Sequence, residues 1–153
     1  LLKYKDLGYE ITMEQTHHGP YLEKPVMFIE IGSDEKSWQD NVAGKAIADA
    51  IMNIIDKGPA GERSAIVLGG GHYNQAANKL MERTDIAVGH ICAKFLLEEL
   101  TQEKLRQAIE RSSPRAELLV LDWKGLGQHK EYVKKLIANT SIPTQRSQDI
   151  LKR

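Results

Sequence analysis

Short apolar segments alternate with helix-like segments along most of this 153-residue chain, and this alternation restricts its fold more than any other feature. Residues 65–68 and 118–121 are apolar at every position, which is typical of strands that are buried on both faces of a parallel sheet. Residues 86–92 resemble them, with an interruption at Gly89-His90. Strands that alternate with helices predict an α/β fold with a largely parallel or mixed sheet flanked by helices. The apolar spacing predicts those helices over residues 74–82, 101–109 and 131–137.

The first third of the chain contains two further strand patterns and one helix pattern. Residues 9–13 alternate apolar and polar side chains, which predicts a half-buried strand. Residues 26–31 form an apolar run that contains one carboxylate, and this run predicts a buried strand. From Trp38 onward the apolar residues share one helical face, so we expect a helix that begins near Ser37 and ends at Gly58-Pro59.

Composition restricts the class of protein. With 21 basic and 21 acidic residues the formal net charge is +0, which excludes a polybasic protein that coats nucleic acid. The single cysteine, Cys92, cannot form an internal disulfide and lies in an apolar strand, so we expect a buried thiol in a reducing compartment. No apolar run is long enough to cross a bilayer. These features predict a soluble cytoplasmic protein with one α/β domain over residues 1–153 and a loose polar tail over 143–153.

Chemically versatile residues follow the predicted strands. His17 and His18 come after the first strand, the segment 69–73 follows the strand at 65–68, and the segment 122–125 follows the last strand. Ligands of open α/β sheets bind beyond the carboxyl ends of the strands. We therefore expect a functional site at that edge of the sheet.

Three consecutive glycines, Gly69, Gly70 and Gly71, precede His72 and a predicted helix. Residues without Cβ allow backbone N–H groups to face an anion, so this loop could hold a phosphate or form an oxyanion hole. A plain tight turn is the alternative interpretation. No Lys-Ser/Thr follows the glycines, which excludes an NTPase P-loop.

Three carboxylate or histidine positions have two interpretations each. His17 and His18 are neighbours in an extended segment, so one can face a site while the other supports it, and two surface histidines are the alternative. Glu30 lies within the apolar run, where a buried carboxylate needs a partner or a cation, but it could also face water. The sequence gives a weaker indication of a functional role for His90.

The segment Asp122-Trp123-Lys124-Gly125 combines a carboxylate, a broad stacking surface and a cation at the end of a buried strand. An RNA terminus could bind to such a set, whereas a structural tryptophan beside a local ion pair is the alternative. Standard zinc motifs, the HExxH helix and the CxxC pair, are absent from the sequence.

Four blocks of sequence together resemble the archaeal and plant type of D-aminoacyl-tRNA deacylase. They are Thr16-His17-His18-Gly19-Pro20, Phe28-Ile29-Glu30-Ile31-Gly32-Ser33 leading into Trp38, Gly69-Gly70-Gly71-His72-Tyr73, and Leu121-Asp122-Trp123-Lys124-Gly125-Leu126. The blocks occur in the order of that family and span nearly the whole chain. Because the family's chains are longer at the N-terminus, the sequence resembles their C-terminal portion.

The resemblance implies a fold similar to those of phosphorylases and peptidyl-tRNA hydrolases. It also implies a zinc-dependent enzyme that hydrolyses the ester bond of D-aminoacyl-tRNA and releases the D-amino acid and tRNA as chiral proofreading. The partner would be the tRNA acceptor end, with no membrane or DNA partner, and a monomer is expected. Two alternatives stay open: a phosphorylase or other hydrolase on this fold, and a non-catalytic tRNA-binding module.

Within that activity we assign roles from the chemistry of the side chains. The expected catalytic residues are His17, His18, Glu30 and His72, and the expected metal ligands are His17, His72 and Glu30. The expected substrate-binding residues are Gly69, Gly70, Gly71, Tyr73, Asp122, Trp123 and Lys124. Of these, Gly70 and Gly71 would donate backbone N–H groups, and Trp123 or Lys124 would contact the RNA end.

Overall fold

The structure, a computed structural model, describes residues 2–17, 19–20, 22–32, 34–58 and 63–152. Contacts divide the chain into two compact units: unit 1 comprises residues 1–11 and 26–60, and unit 2 comprises residues 12–25 and 61–153. The predicted single domain stays a prediction. Among the described residues, no helix has the length and apolar character that crossing a membrane requires.

Unit 1 is helical. Its elements are a 3-10 helix over Leu2–Leu7, helix α1 over Glu35–Trp38 and helix α2 over Asn41–Lys57. The single helix expected from Ser37 is thus two helices, because Asp40 caps the second by accepting from the N–H groups of Val42 and Ala43. α2 ends at Gly58, as predicted, where a φ of +74° suits glycine.

The strands predicted in the first third of the chain are wrong. Residues 26–31 form no regular element, and Val26, Met27 and Phe28 are exposed. Glu30 is exposed as well, so it is not the buried carboxylate of a central strand. Residues 9–13 form no strand either. An apolar run becomes a strand only where a neighbouring strand takes up its backbone hydrogen bonds, and pattern alone does not show that neighbour.

Unit 2 contains a four-stranded, fully parallel sheet with the strand order β2-β1-β3-β4. In chain order its elements are β1 Arg63–Leu68, α3 Gln75–Arg83, β2 Ile86–Cys92, a 3-10 helix Lys94–Glu99, α4 Gln102–Arg111, β3 Leu118–Leu121, a 3-10 helix Gly127–His129, α5 Lys130–Ile137, β4 Thr144–Arg146 and α6 Ser147–Ile150. The predicted α/β class is confirmed. β2 lies on one side of β1, and β3 and β4 lie on the other, so the chain switches sides of the sheet between β1 and β3. Ligands of open α/β sheets bind beyond the carboxyl ends of the strands at such a switch point, which makes the gap between β1 and β3 the expected ligand position.

The two faces of the sheet carry separate cores. Alternate residues of β1 and β3 point to opposite faces, because side chains in a strand alternate with a period of two. One face packs with residues of α4 and α5, and the cluster is Ile66, Leu68, Leu97, Leu100, Leu105, Ile109, Ala116, Leu119, Leu121, Leu126, Val133 and Leu136. The other packs with α3, and its cluster is Ala65, Val67, Ala77, Leu80, Ile86, Ile91, Leu118 and Val120. Both central strands are therefore packed on both faces, and the loops that follow them start from this core.

The loose tail predicted over residues 143–153 is wrong for most of its length. Residues 144–146 form β4, an edge strand in which Thr144 pairs with Leu119 and Arg146 with Leu121. α6 follows, and Ile150 and Leu151 pack against the core cluster that includes α3. The sequence of this segment is mostly polar because an edge strand and a short helix are held by only these few apolar contacts.

Candidate functional site

The glycine loop after β1 has a shape that depends on its first two glycines. Gly69 and Gly70 have φ values of +101° and +81°, in the left-handed region that side chains with Cβ rarely adopt. A Cβ on Gly69 would also lie 3.0 Å from the carbonyl oxygen of Asp122 and 3.1 Å from the carbonyl carbon of Gly125. The loop is therefore a close crossing of two backbones, and it fixes the position of His72.

Asn74 holds this loop to the start of α3. It is fully buried, donates from Nδ2 to the carbonyl oxygen of Gly69 at 2.7 Å and accepts the N–H of Ala77 at 2.9 Å. The helix thus begins where the sequence predicts, because Asn is a favoured N-cap residue. His72 and Tyr73 lie between the two anchored ends of this turn.

The N–H groups of Gly69 and Gly70 are used inside the protein. Gly69 donates to the carbonyl oxygen of Cys92 at 2.9 Å, and Gly70 donates to that of Gly125 at 3.0 Å. The predicted role of Gly70 as an amide donor to the substrate is therefore wrong. Gly71 differs, because its N–H makes no hydrogen bond within the described part of the chain and open space surrounds its Cα.

Asp122 shapes the loop after β3. Its carboxylate accepts the N–H of Gly125 at 3.0 Å, and its carbonyl oxygen accepts that of Leu126 at 2.9 Å. A Cβ on Gly125 would collide with this carboxylate. These contacts give Asp122 a structural role in the turn, and its predicted contact with substrate stays a prediction.

An extended segment, residues 12–17, lies across the carboxyl edge of the sheet. Asn74 N–H donates to the carbonyl oxygen of Met13 at 3.0 Å, and Gln15 N–H donates to that of His72 at 2.9 Å. Further along, Thr16 N–H donates to the carbonyl oxygen of Ile91 at 2.9 Å. The segment is therefore bound to the ends of both β1 and β2, which brings its side chains to the loop that carries His72.

Glu14, His17 and His72 meet at this edge and form what we call the histidine cluster. Oε2 of Glu14 lies 3.0 Å from Nε2 of His17 and 3.5 Å from Nε2 of His72. The two imidazole rings are 4.8 Å apart between centroids, and Tyr73 packs edge-on against His72 at 4.9 Å. The His17 and His72 side chains are 31% and 38% exposed, so a small molecule can reach both rings.

The histidine cluster has the ligand chemistry of a catalytic zinc site. One ligand atom from each of its three residues lies within 4.8 Å of the others. Two imidazole nitrogens and a carboxylate oxygen recur as the protein ligands of catalytic zinc, which keeps a fourth position for water or substrate. Bonds of about 2.1 Å in a tetrahedron put ligand atoms roughly 3.4 Å apart. The residues therefore fit such an ion.

His90 and Cys92 lie on β2 beside the cluster. The Thr16 hydroxyl accepts the N–H of Ile91 at 3.0 Å and lies 3.3 Å from Nδ1 of His90. Burial lowers the pKa of His90, because a charged imidazole loses solvation there. Burial also raises the pKa of the Cys92 thiol to about 11, so the thiol stays protonated and is a poor nucleophile, in agreement with the sequence-based expectation.

The structure brings together two of the predicted catalytic residues, His17 and His72. His18 lies outside the described residues. Glu30 belongs to unit 1, and the metal-ligand group found among the described residues has Glu14 in the place that the sequence assigned to Glu30. The catalytic and metal-binding roles of all these residues stay predictions.

The sequence alone does not single out Glu14, because Glu14 continues the polar positions of the alternating pattern at residues 9–13, and the polar positions of a half-buried strand face water. The signal that could have indicated Glu14 is its position three residues before His17, which allows the carboxylate to contact that imidazole. The neighbouring Gln15 was missed as well. Gln15 is buried, and its Oε1 has no hydrogen-bond partner among the described residues.

Comparisons with known proteins agree with the sequence resemblance. A model of the D-aminoacyl-tRNA deacylase family matches residues 2–145. Curated D-aminoacyl-tRNA deacylases that match include those of Thermococcus kodakarensis, 40% identical over 78% of this chain, and Pyrococcus furiosus, 38% identical over 88%. The enzyme of Methanosarcina barkeri is 35% identical over 98%.

A solved structure with the same fold is described as a conserved protein of unknown function. It has a TM-score of 0.87 and 32% identity and covers 99% of this chain, while this chain covers 54% of that one. The chain also covers 44%, 49% and 48% of the three curated relatives, so it spans about half their length. With a family model that matches nearly all of it, the chain belongs to the D-aminoacyl-tRNA deacylase family.

Proposed function

We propose that this chain carries the ester-hydrolysing site of a D-aminoacyl-tRNA deacylase, with the histidine cluster at its centre. The observation that carries the proposal is the position of the Glu14 carboxylate, 3.0 Å from His17 and 3.5 Å from His72, at the carboxyl edge of the sheet. Membership of the family supplies the substrate: the ester that joins a D-amino acid to the terminal ribose of tRNA. Such a substrate supports a cytoplasmic location.

Hydrolysis of an ester needs a base that deprotonates water as it attacks the carbonyl carbon. In the cluster without a metal, either imidazole can supply this base, and Glu14 holds both rings in place through their Nε2 atoms. The C–O bond to the ribose then breaks, and the imidazolium returns its proton to the ribose oxygen. One histidine thus acts first as base and then as acid.

The carbonyl oxygen gains negative charge during the attack and needs hydrogen-bond donors. The N–H of Gly71 is our candidate, because no protein group in the described part of the chain accepts it. A side chain at this position would occupy the open space beside it. Gly71 therefore combines a donor with room for the substrate.

A zinc ion is the metal that we propose for His17, His72 and Glu14, on the ligand chemistry described above. When bound, such an ion would lower the pKa of a coordinated water and polarise the ester carbonyl. Because His17 and His72 would then be ligands, this chemistry would replace the histidine base. In this proposal Glu14 takes the role that the sequence analysis gave to Glu30.

The phosphorylase alternative depended on a glycine loop that cradles phosphate. The N–H groups of Gly69 and Gly70 donate to Cys92 and Gly125, so two of the three expected donors of that loop are already occupied. The hydrolase is therefore the better-supported activity.

The experiment is a deacylation assay on matched D- and L-aminoacyl-tRNA, with and without a chelator, followed by return of zinc. We expect release of the D-amino acid, loss of activity with chelator and recovery with zinc. Glu14→Gln should reduce the rate roughly 10²–10⁴-fold, as is typical when an acid–base group or its partner is removed.

Glu10→Gln is the matched control, because Glu10 is an exposed carboxylate at a polar position of the same alternating pattern. It should keep the activity of the unmodified protein. A protein that binds tRNA but releases no D-amino acid, with or without zinc, would contradict the proposal and favour a binding module. Activity that withstands the chelator would contradict the zinc assignment alone.

A further inference from the structure

Three cationic side chains surround one indole ring at the carboxyl edge of unit 2. The guanidinium carbon of Arg146 lies 4.3 Å from the centroid of the Trp123 ring. The Nζ atoms of Lys130 and Lys134 lie 5.4 and 5.5 Å from it. Each distance is within the range of a cation–π contact. We call Trp123, Lys130, Lys134 and Arg146 the cationic patch.

The patch is assembled from three separate elements. Trp123 follows β3, Lys130 and Lys134 lie one helical turn apart on α5, and Arg146 ends the edge strand β4. Positive charges brought together by tertiary structure repel each other, and this repulsion is a cost that the fold carries. The indole lowers that cost, but it has no net charge and leaves the patch positive.

Carboxylates neutralise only part of the patch. Glu131 accepts from Lys134 at 2.7 Å, and this contact lowers the pKa of Glu131. The carboxylate of Asp122, next to Trp123, accepts the N–H of Gly125 in the turn. Neither Lys130 nor Arg146 has a carboxylate within salt-bridge distance among the described residues. Two cations in contact with the same indole ring are thus available to an anion from outside the protein.

The patch and the histidine cluster lie at the same edge of the sheet. His72 follows β1, and Arg146 ends β4, which is separated from β1 only by β3. Two strand spacings amount to about 10 Å along the edge. A nucleic acid with its terminal ester at the cluster therefore has its nearest phosphates within reach of the patch.

We infer that the cationic patch binds backbone phosphates of the tRNA acceptor end, an inference that rests on the proposed function. Arg146 supplies a planar donor group that suits phosphate oxygens, and Lys130 supplies a point charge. Trp123 is a platform that orients these cations. Because Arg146 lies over its ring, the indole serves the phosphate contact rather than base stacking.

The test measures the binding of uncharged tRNA by fluorescence anisotropy over a series of salt concentrations. Arg146→Gln and Lys130→Gln should each weaken binding roughly tenfold, as expected for the loss of a charge-assisted hydrogen bond. Their combination should also reduce the magnitude of the slope of log affinity against log salt, by about 0.7–0.9 for each phosphate that is no longer bound. Arg146→Lys should recover only part of the binding, because it keeps the charge but loses the planar donor group.

Lys135→Gln and Arg83→Gln are matched controls. Lys135 is an exposed lysine on the same helix as Lys130 and makes no contact with the Trp123 ring among the described residues. Arg83 ends α3, at the opposite edge of the sheet. Both controls should bind tRNA as the unmodified protein does. Equal affinity and salt slope in the patch variants and the controls would overturn the inference.

A second measurement does not depend on variants of the patch. The chain has two tryptophans, so in Trp38→Phe the fluorescence reports on Trp123 alone. Added tRNA should change that fluorescence, and an unchanged signal under conditions where tRNA binds would overturn the inference. Because uncharged tRNA has no ester, binding through the patch without deacylation would contradict the proposed function alone. Deacylation with no effect of the patch on binding would contradict this inference alone.

Discussion

The side-chain oxygen Oδ1 of Asn78 accepts the backbone N–H of Met13 at 2.6 Å. Its Nδ2 donates to the Thr12 hydroxyl at 2.8 Å, so one amide on α3 holds two successive residues of the extended segment. Glu14 is the next residue along the chain. The position of the Glu14 carboxylate in the histidine cluster therefore depends on a residue that does not belong to the cluster.

Asn78→Ala should lower activity more than a loss of stability explains. Two hydrogen bonds of about 1 kcal/mol each set the scale of the destabilisation. Since Glu14 would lose its fixed position, we expect a lower kcat and weaker zinc binding at temperatures where the variant is still folded. Kinetics and zinc titration beside a thermal melt measure both effects.

Asn78→Asp keeps the acceptor for Met13 and loses only the donor to Thr12, so it should recover part of the activity. Asn139→Ala, at an exposed asparagine after α5, is the control for an amide truncation. Equal activity of Asn78→Ala and the unmodified protein would show that the segment holds its position without Asn78.

His72→Ala should reduce turnover far more than thermal stability. The side chain is 38% exposed and lies on a loop, so it contributes little buried area, whereas an acid–base or ligand role accounts for roughly 10²–10⁴-fold in rate. Deacylation rates and melting temperatures of both proteins give the comparison. A variant that unfolds early but keeps its specific activity would assign His72 a structural role.

The sequence predicts those elements of unit 2 whose burial produces a simple pattern of apolar residues. β1 and β3 are apolar runs with helices on both faces, and α3 begins at Asn74, a strong cap residue. β4 and α6 escape detection because their few apolar side chains fill small gaps. Glu14 escapes because a strand pattern cannot show that another loop will lie over its polar face.

Gly69→Ala should destabilise the protein by about 2 kcal/mol or more. The left-handed φ of +101° costs a residue with a Cβ about 1–2 kcal/mol, and the added carbon meets backbone atoms of Asp122 and Gly125 that cannot move aside easily. Gly71→Ala is the matched control, because nothing lies within 4 Å of its added carbon. It should stay within about 0.5 kcal/mol of the unmodified protein. Denaturant unfolding of both variants measures the difference, and equal effects would contradict the role of the close crossing.

The stability of the protein should fall at mildly acidic pH because of His90. Burial lowers its pKa in the folded state, so below about pH 6.5 the unfolded state binds more protons than the folded state. The contribution of His90 to the free energy of unfolding is fully present above about pH 6.5, and it is lost as the pH falls toward the folded-state pKa. His90→Gln removes the group, and melts between about pH 8 and pH 5.5 should show a weaker pH dependence in the variant. The same dependence in both proteins would contradict the effect.

We expect broad acceptance of D-amino acids with strong rejection of the L forms. With two Trp, two Phe and five Tyr in the whole chain, composition disfavours an aromatic cage for one particular side chain. Chirality can still be distinguished if polar groups fix the α-amine and the carbonyl while steric contact blocks one face of Cα. Gly71, with open space at its Cα, permits that close approach. The measurement is deacylation of tRNAs that carry D-Tyr, D-Asp, D-Ala and their L counterparts. Activity on a single D side chain, or equal rates on both enantiomers, would contradict this prediction.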